Sequence, residues 1–119
     1  METNNSSESS VLEIKTDKGL KIISKQKIFF IQANKKNSIV RIDEPELINS
    51  LHSLRWFSQM LLPLDFFRCH YSYLVNCRLV DCFSSKGITL KGNIIVPLSR
   101  NKLPELEKIL AELQKEKEL

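Results

Sequence analysis

Glycine is scarce: three residues in a chain of 119. Such a chain has little means to cradle phosphates in Gly-rich loops, and it carries no P-loop, GxGxxG or GxSxG pattern. Cysteine is scarce as well. Cys69, Cys77 and Cys82 make an odd count, which argues for reduced thiols in a cytoplasm rather than a disulfide framework. The opening "METNNSSESS" has no apolar stretch of the secretory kind, so export is not expected. The apolar runs are only a few residues long, far short of a membrane span. Acid is missing where base is common. Between residues 66 and 102, Asp81 stands alone against Arg68, Arg78, Lys86, Lys91, Arg100 and Lys102. Residues 103–119 reverse the balance, with five Glu against three Lys. The formal charge of +4 therefore belongs to the body of the chain and favours an anionic partner.

What is present is a series of short strand signals. The length predicts one domain, and 42% hydrophobic residues are enough for a real core. Residues 1–9 read as a disordered tail. "VLEIKT" (11–16) alternates apolar and polar, "TDKG" turns the chain, and "LKIIS" (20–24) follows. "KIFFIQA" (27–33) is apolar on both faces and reads as a central strand. "NKKN" (34–37) is a polar loop before "SIVRID" (38–43). Residues 45–62 allow two readings. One is a long helix from near Pro45. The other is a short strand over 46–51, hairpinned on Glu44-Pro45, then a helix capped by Ser53 and stopped by Pro63. "FFRC" (66–69) and "LVDCFS" (79–84) read as strands. "ITLK" and "IIVP" flank Gly92-Asn93 as a hairpin. The last segment is an amphipathic helix with a Leu103, Leu106, Ile109, Leu110 and Leu113 stripe, capped by Ser99 or Asn101.

"RCHYSYLVNC" (68–77) holds the residues most suggestive of chemistry. Its polar cluster fits a catalytic site, a metal site, a binding loop or a polar turn. The Cys/His spacing is not that of a zinc site, and Cys69 and His70 point to opposite faces of a strand. Nucleophilic catalysis needs a base and an orienter that the sequence does not identify. His52 reads as a surface residue of the long helix. Neither a metal nor an enzyme is expected. Small buried thiols are the simpler reading.

Three polar segments remain, each at a strand end and each free of acid: Lys35, Lys36, Asn37 and Ser38; Arg68, His70, Tyr71 and Ser72; Ser99, Arg100, Asn101 and Lys102. Arg and Lys suit phosphate oxygens or guanine, Asn suits adenine, and hydroxyls suit either. Singly, each is an ordinary solvated loop. Together they favour binding to an anion.

"FFRCHYSYLVNCRLVDCFSSKGITLKGNIIVPLSR" resembles the signature half of the LytTR (LytR/AlgR-type) DNA-binding domain. The family's pattern is an aromatic, then Arg-x-His-basic-Ser-Tyr-Leu-Val-Asn, and later Pro-x-Ser-Arg. Here the matching positions are Phe67, Arg68, His70, Tyr71, Ser72, Tyr73, Leu74, Val75 and Asn76, then Pro97, Ser99 and Arg100. "IFFIQANKKNSIVRI" and "SLRWFSQMLLP" are similar to its strand-loop-strand and its helix. The resemblance covers roughly 11–102.

It implies an α+β, mainly β fold of small stacked antiparallel sheets with one short middle helix, and so favours the strand over 46–51. The expected layout is a tail over 1–9, the DNA-binding domain over 10–102 and a C-terminal helix over 103–119. The resemblance also implies a cytoplasmic transcriptional regulator with no cofactor, reading double-stranded promoter DNA through loops, often in pairs on direct repeats. Its base readers would be Asn37 or Ser38, Tyr71 and Arg100. Lys35, Lys36, Arg68, His70, Ser72, Asn101 and Lys102 complete the DNA-contacting set. Ser72, Asn101 and Lys102 would sit on phosphates, while His70 and Asn76 would also order the loop. The family usually has Arg, Lys or Asn where Tyr71 stands. The chain leaves no room for a receiver domain, so a standalone module is expected. The alternatives are a protein-interaction module on the same fold and, for the last helix, pairing with a second subunit.

Overall fold

The alternation of the first half produces strands as expected. The computed structural model describes residues 10–43, 47–62 and 65–118. The expected tail, the Glu44-Pro45 turn and the Pro63 stop lie outside them. Strands β1 (Val11–Thr16), β2 (Gly19–Ser24), β3 (Ile28–Asn34), β4 (Asn37–Ile42) and β5 (Leu47–Ser50) precede helix α1 (Leu54–Leu61). Then come β6 (Phe66–His70), β7 (Tyr73–Asn76), β8 (Val80–Ser84), β9 (Gly87–Leu90), β10 (Ile94–Val96) and helix α2 (Leu103–Glu118). The first seven strands form one antiparallel sheet in the order β2-β1-β5-β4-β3-β7-β6, and β10-β9-β8 form a second. The family's strand over 46–51 is present as β5, and the long helix from Pro45 is not.

The large sheet is covered on both faces. One face carries α1, packed on β3 and β7, whose Leu54, Phe57 and Leu61 lie three and four residues apart and are all buried. These join Leu12, Ile14, Ile31 and Val40 in a first core. Ser53 caps the helix by accepting a 3.1 Å bond from the Trp56 N–H, as the sequence implied. Over β3, β7 and β6 the other face carries the small sheet and α2. There Phe67, Val75, Ile88, Leu90, Val96, Leu106 and Leu113 form a second core.

β7 has no clear signal in the sequence. Its four residues are too few to show a period, and Leu74 and Val75 are both fully buried because each faces a different core. Phe66 and Phe67 divide between the cores in the same way. In β3, a bulge between Ile28 and Phe30 resets the alternation. Ile28 and Ile31, three apart, therefore both reach the first core.

α2 matches the expected amphipathic helix, with a different entry. Ser99 makes no side-chain cap bond, and a 3-10 turn over Arg100–Lys102 leads in instead. The leucine stripe packs within the chain: Leu106 is fully buried and Leu113 nearly so, with Leu103, Ile109 and Leu110 partly buried against the same core. Arg78 binds Asp65 and, at 2.9 Å, Glu116, tying the helix to the chain just before β6. Asn76 is buried at the far end of β7. Its Nδ2 donates to the Ile28 carbonyl at 2.9 Å, and its Oδ1 accepts from the Arg78 N–H at 3.0 Å. It orders the junction of β7 and β3, and not the 71–72 turn at the other end of the strand.

Phe57 is completely buried in the first core. Phe57→Ala is expected to cost about 3–5 kcal/mol in denaturant unfolding, and Ser53→Ala about 1 kcal/mol through the lost cap. Equal losses in the two variants would show that α1 does not cover this core as described.

Candidate nucleic-acid interface

Strand polarity gathers the three polar segments at one end of the large sheet. β3 runs up to a two-residue turn, Lys35-Lys36, and β4 returns with Asn37 opposite Asn34. β6 and β7 make the neighbouring hairpin, with His70 opposite Tyr73 and Tyr71-Ser72 at the tip. The Ala33 N–H donates to the Ser72 carbonyl at 2.8 Å, so this second turn lies beside the first. The Ser99 N–H donates to the Cys69 carbonyl at 2.9 Å, which docks the 99–102 segment against β6. The three loops therefore stand in a row, fixed to one another through backbone.

The first turn is tight. Lys35 adopts φ 58, the left-handed region that the hairpin twist requires. Lys35, Lys36 and Asn37 are exposed. Ser38 is not: it is 1% exposed, and its Oγ donates to the His52 carbonyl at 2.9 Å. A DNA contact by Ser38 is thereby corrected, because the side chain lies on the inward face of β4. Asn37 is left as the outward polar residue there.

The second turn is built from its own side chains. Arg68 Nε donates to the His70 carbonyl at 3.2 Å, and Nη2 donates to the Tyr71 carbonyl. Nη1 reaches the Ser58 hydroxyl on α1 at 3.4 Å. Each of the three guanidinium nitrogens directs one N–H at the protein, so Arg68 clamps the loop. A bulge between Phe67 and His70 makes room for this geometry. His70 Nδ1 accepts the Ser72 N–H at 3.1 Å and orders the turn, as its place in the motif implied. Tyr71 stands out from the tip, 78% exposed.

In the third segment Arg100 and Asn101 are exposed. The Lys102 N–H closes the turn on the Ser99 carbonyl at 2.9 Å. Its ammonium lies 3.9 Å from Glu105, a loose pair that leaves the charge near the loops.

One supporting residue has no signal in the sequence. His52 is a half-buried junction and not a residue on the surface of a helix. Its Nε2 accepts the Lys15 N–H at 3.1 Å, its ring stacks on Trp56 at 3.5 Å, and its carbonyl holds Ser38. Burial, and then the Lys15 charge, hold its pKa below the ordinary value. Its partners lie 37 and 14 residues away in the chain, beyond any local pattern.

The cysteines contribute packing. Cys69 and Cys77 are buried, and that burial pushes both thiols up to about 12. Among the described residues no three Cys, His, Asp or Glu side chains converge as metal ligands do. With native protein at neutral pH, a thiol reagent is expected to modify exposed Cys82 quickly and the other two only after unfolding. Rapid labelling of Cys69 would contradict its burial.

The model of the LytTr DNA-binding domain family matches residues 18–111, a span that takes in all three loops and runs into α2. Among solved structures, a LytTr DNA-binding domain from Bacillus cereus is similar with a TM-score of 0.70 and 24% identity. The likeness covers 86% of this chain and 97% of that one, and it bears on the fold. No curated protein matches. A family match over most of the chain, on a mainly β fold that lines up the motif's loops, places this chain in the LytTR DNA-binding domain family.

Proposed function

We propose that the protein is a sequence-specific transcriptional regulator that binds double-stranded promoter DNA with the end of its large sheet. The observation that supports this most is the row of three acid-free loops, held side by side by the Ala33–Ser72 and Cys69–Ser99 backbone bonds. Asn37 and Arg100 have the donors for base edges, and both are exposed. Lys35, Lys36, Ser72, Asn101 and Lys102 suit phosphates, which carry most of the affinity and none of the sequence information directly. His70 and Arg68 act on DNA through the loop they shape. On this reading the regulator works in the cytoplasm, and pairs of copies occupy direct repeats.

The test is a gel-shift titration on upstream fragments at several salt concentrations. Three to four phosphate contacts predict an affinity that drops roughly 50- to 150-fold between 50 and 200 mM salt. No salt-sensitive shift on any fragment would favour a protein-interaction module instead. Arg100→Ala is expected to weaken the specific complex about tenfold or more. Its melting temperature should stay within about two degrees, as for a surface change. Arg68→Lys separates clamp from contact. A single ammonium cannot reproduce three directed N–H donors, so affinity should fall about tenfold while the secondary structure is unchanged. Wild-type affinity in that variant would show that the clamp does not order the turn.

A further inference from the structure

Tyr71 is a large aromatic left in the open, yet it is not loose. Its ring stacks on His70 at a centroid distance of 4.6 Å and an angle of 28°. His70 is held by the bond from the Ser72 N–H and meets Tyr73 edge-on at 5.7 Å. Tyr73 in turn tilts against Phe30 at 5.8 Å, and both of these rings pack on the second core. Four rings thus run from the core to the loop tip. The Tyr71 carbonyl is fixed separately by Arg68. An exposed aromatic with few torsions, already immobilised, loses little entropy on binding.

Its neighbours sharpen the point. The exposed loop positions beside it are Lys35, Lys36, Asn37, Arg100 and Asn101, all polar. Tyr71 is the one apolar surface these loops present. It cannot form the two-point hydrogen bonds by which Arg or Asn selects a base. On the major-groove edge of ordinary base pairs, the 5-methyl of thymine is the only methyl group.

We infer that Tyr71 is a specificity-determining residue: it selects thymine by packing its exposed ring against the 5-methyl group. The inference rests on the DNA-binding reading above and adds the identity of one base. The loop then combines two recognition chemistries, polar readout by Asn37 and Arg100 and methyl readout by the tyrosine between them.

The test begins with a duplex selected from a randomised pool by the wild-type protein. Each thymine is replaced in turn by deoxyuridine, which removes the methyl and nothing else. Affinity is followed by fluorescence anisotropy. One thymine is expected to show a loss of about three- to fivefold, the fold-change of one buried methyl-sized group. Tyr71→Phe should keep that difference, and Tyr71→Ala should bind more weakly and abolish it. If the selected duplex binds but no thymine responds to uracil, the inference fails and DNA binding stands. It fails equally if the uracil effect survives in Tyr71→Ala, or if Tyr71→Phe loses it, which would make the hydroxyl the contact. If no duplex is selected at all, the DNA-binding reading fails and takes this one with it.

Discussion

The structure depends on β7 being buried on both faces. Its backbone pairs with β3 at Phe30↔Val75, Ile31↔Leu74 and Gln32↔Tyr73, and with β6 on its other side. Leu74 enters the core beneath α1, and Val75 enters the core beneath the small sheet and α2. A strand with apolar partners above and below cannot slip by one residue without exchanging the contents of both cores. That fixed register is what places Tyr71 and Ser72 beside Lys35 and Lys36. The position of the interface is a consequence of packing far below it.

The interface itself separates residues that shape from residues that reach. Arg68, His70, Ser38 and His52 each bond to backbone and hold the loops in place. Lys35, Lys36, Asn37, Tyr71, Arg100 and Asn101 are exposed. Cation density at one end, in loops that carry no acid, gives the surface a direction for a polyanion. The fixed turns mean that little ordering is left to occur on binding, so more of the contact energy goes to affinity.

Much of this was legible in the sequence, and the exceptions have physical causes. Alternation identified β1 and β8, the turn after Thr16 placed β2, and double-sided apolarity identified β3. Donor-rich, acid-free segments identified the loops. The stretch 45–62 was legible only through the family resemblance, because Leu47, Leu51, Leu54 and Leu61 fit a helical spacing that two elements happen to share. β7 was hidden by its shortness and by facing two cores. Ser38 was misplaced, and the bracing role of Arg68 missed, because composition shows that a side chain can donate, not where it points. One residue's parity on a strand buries Ser38, and a turn carbonyl two or three residues away captures Arg68. His52 was hidden for another reason, since its partners come together only in the folded chain.

The two hairpin tips have a consequence for how such a domain changes target. Lys35, Lys36 and Tyr71 stand on two-residue turns whose geometry is set from below, by φ at Lys35 and by the Arg68 clamp. A replacement at these tips alters what the surface touches and leaves the cores and the strand register alone. The scaffold is a socket whose exposed tips can be exchanged. A tyrosine at such a tip is then a change of vocabulary on an unchanged frame.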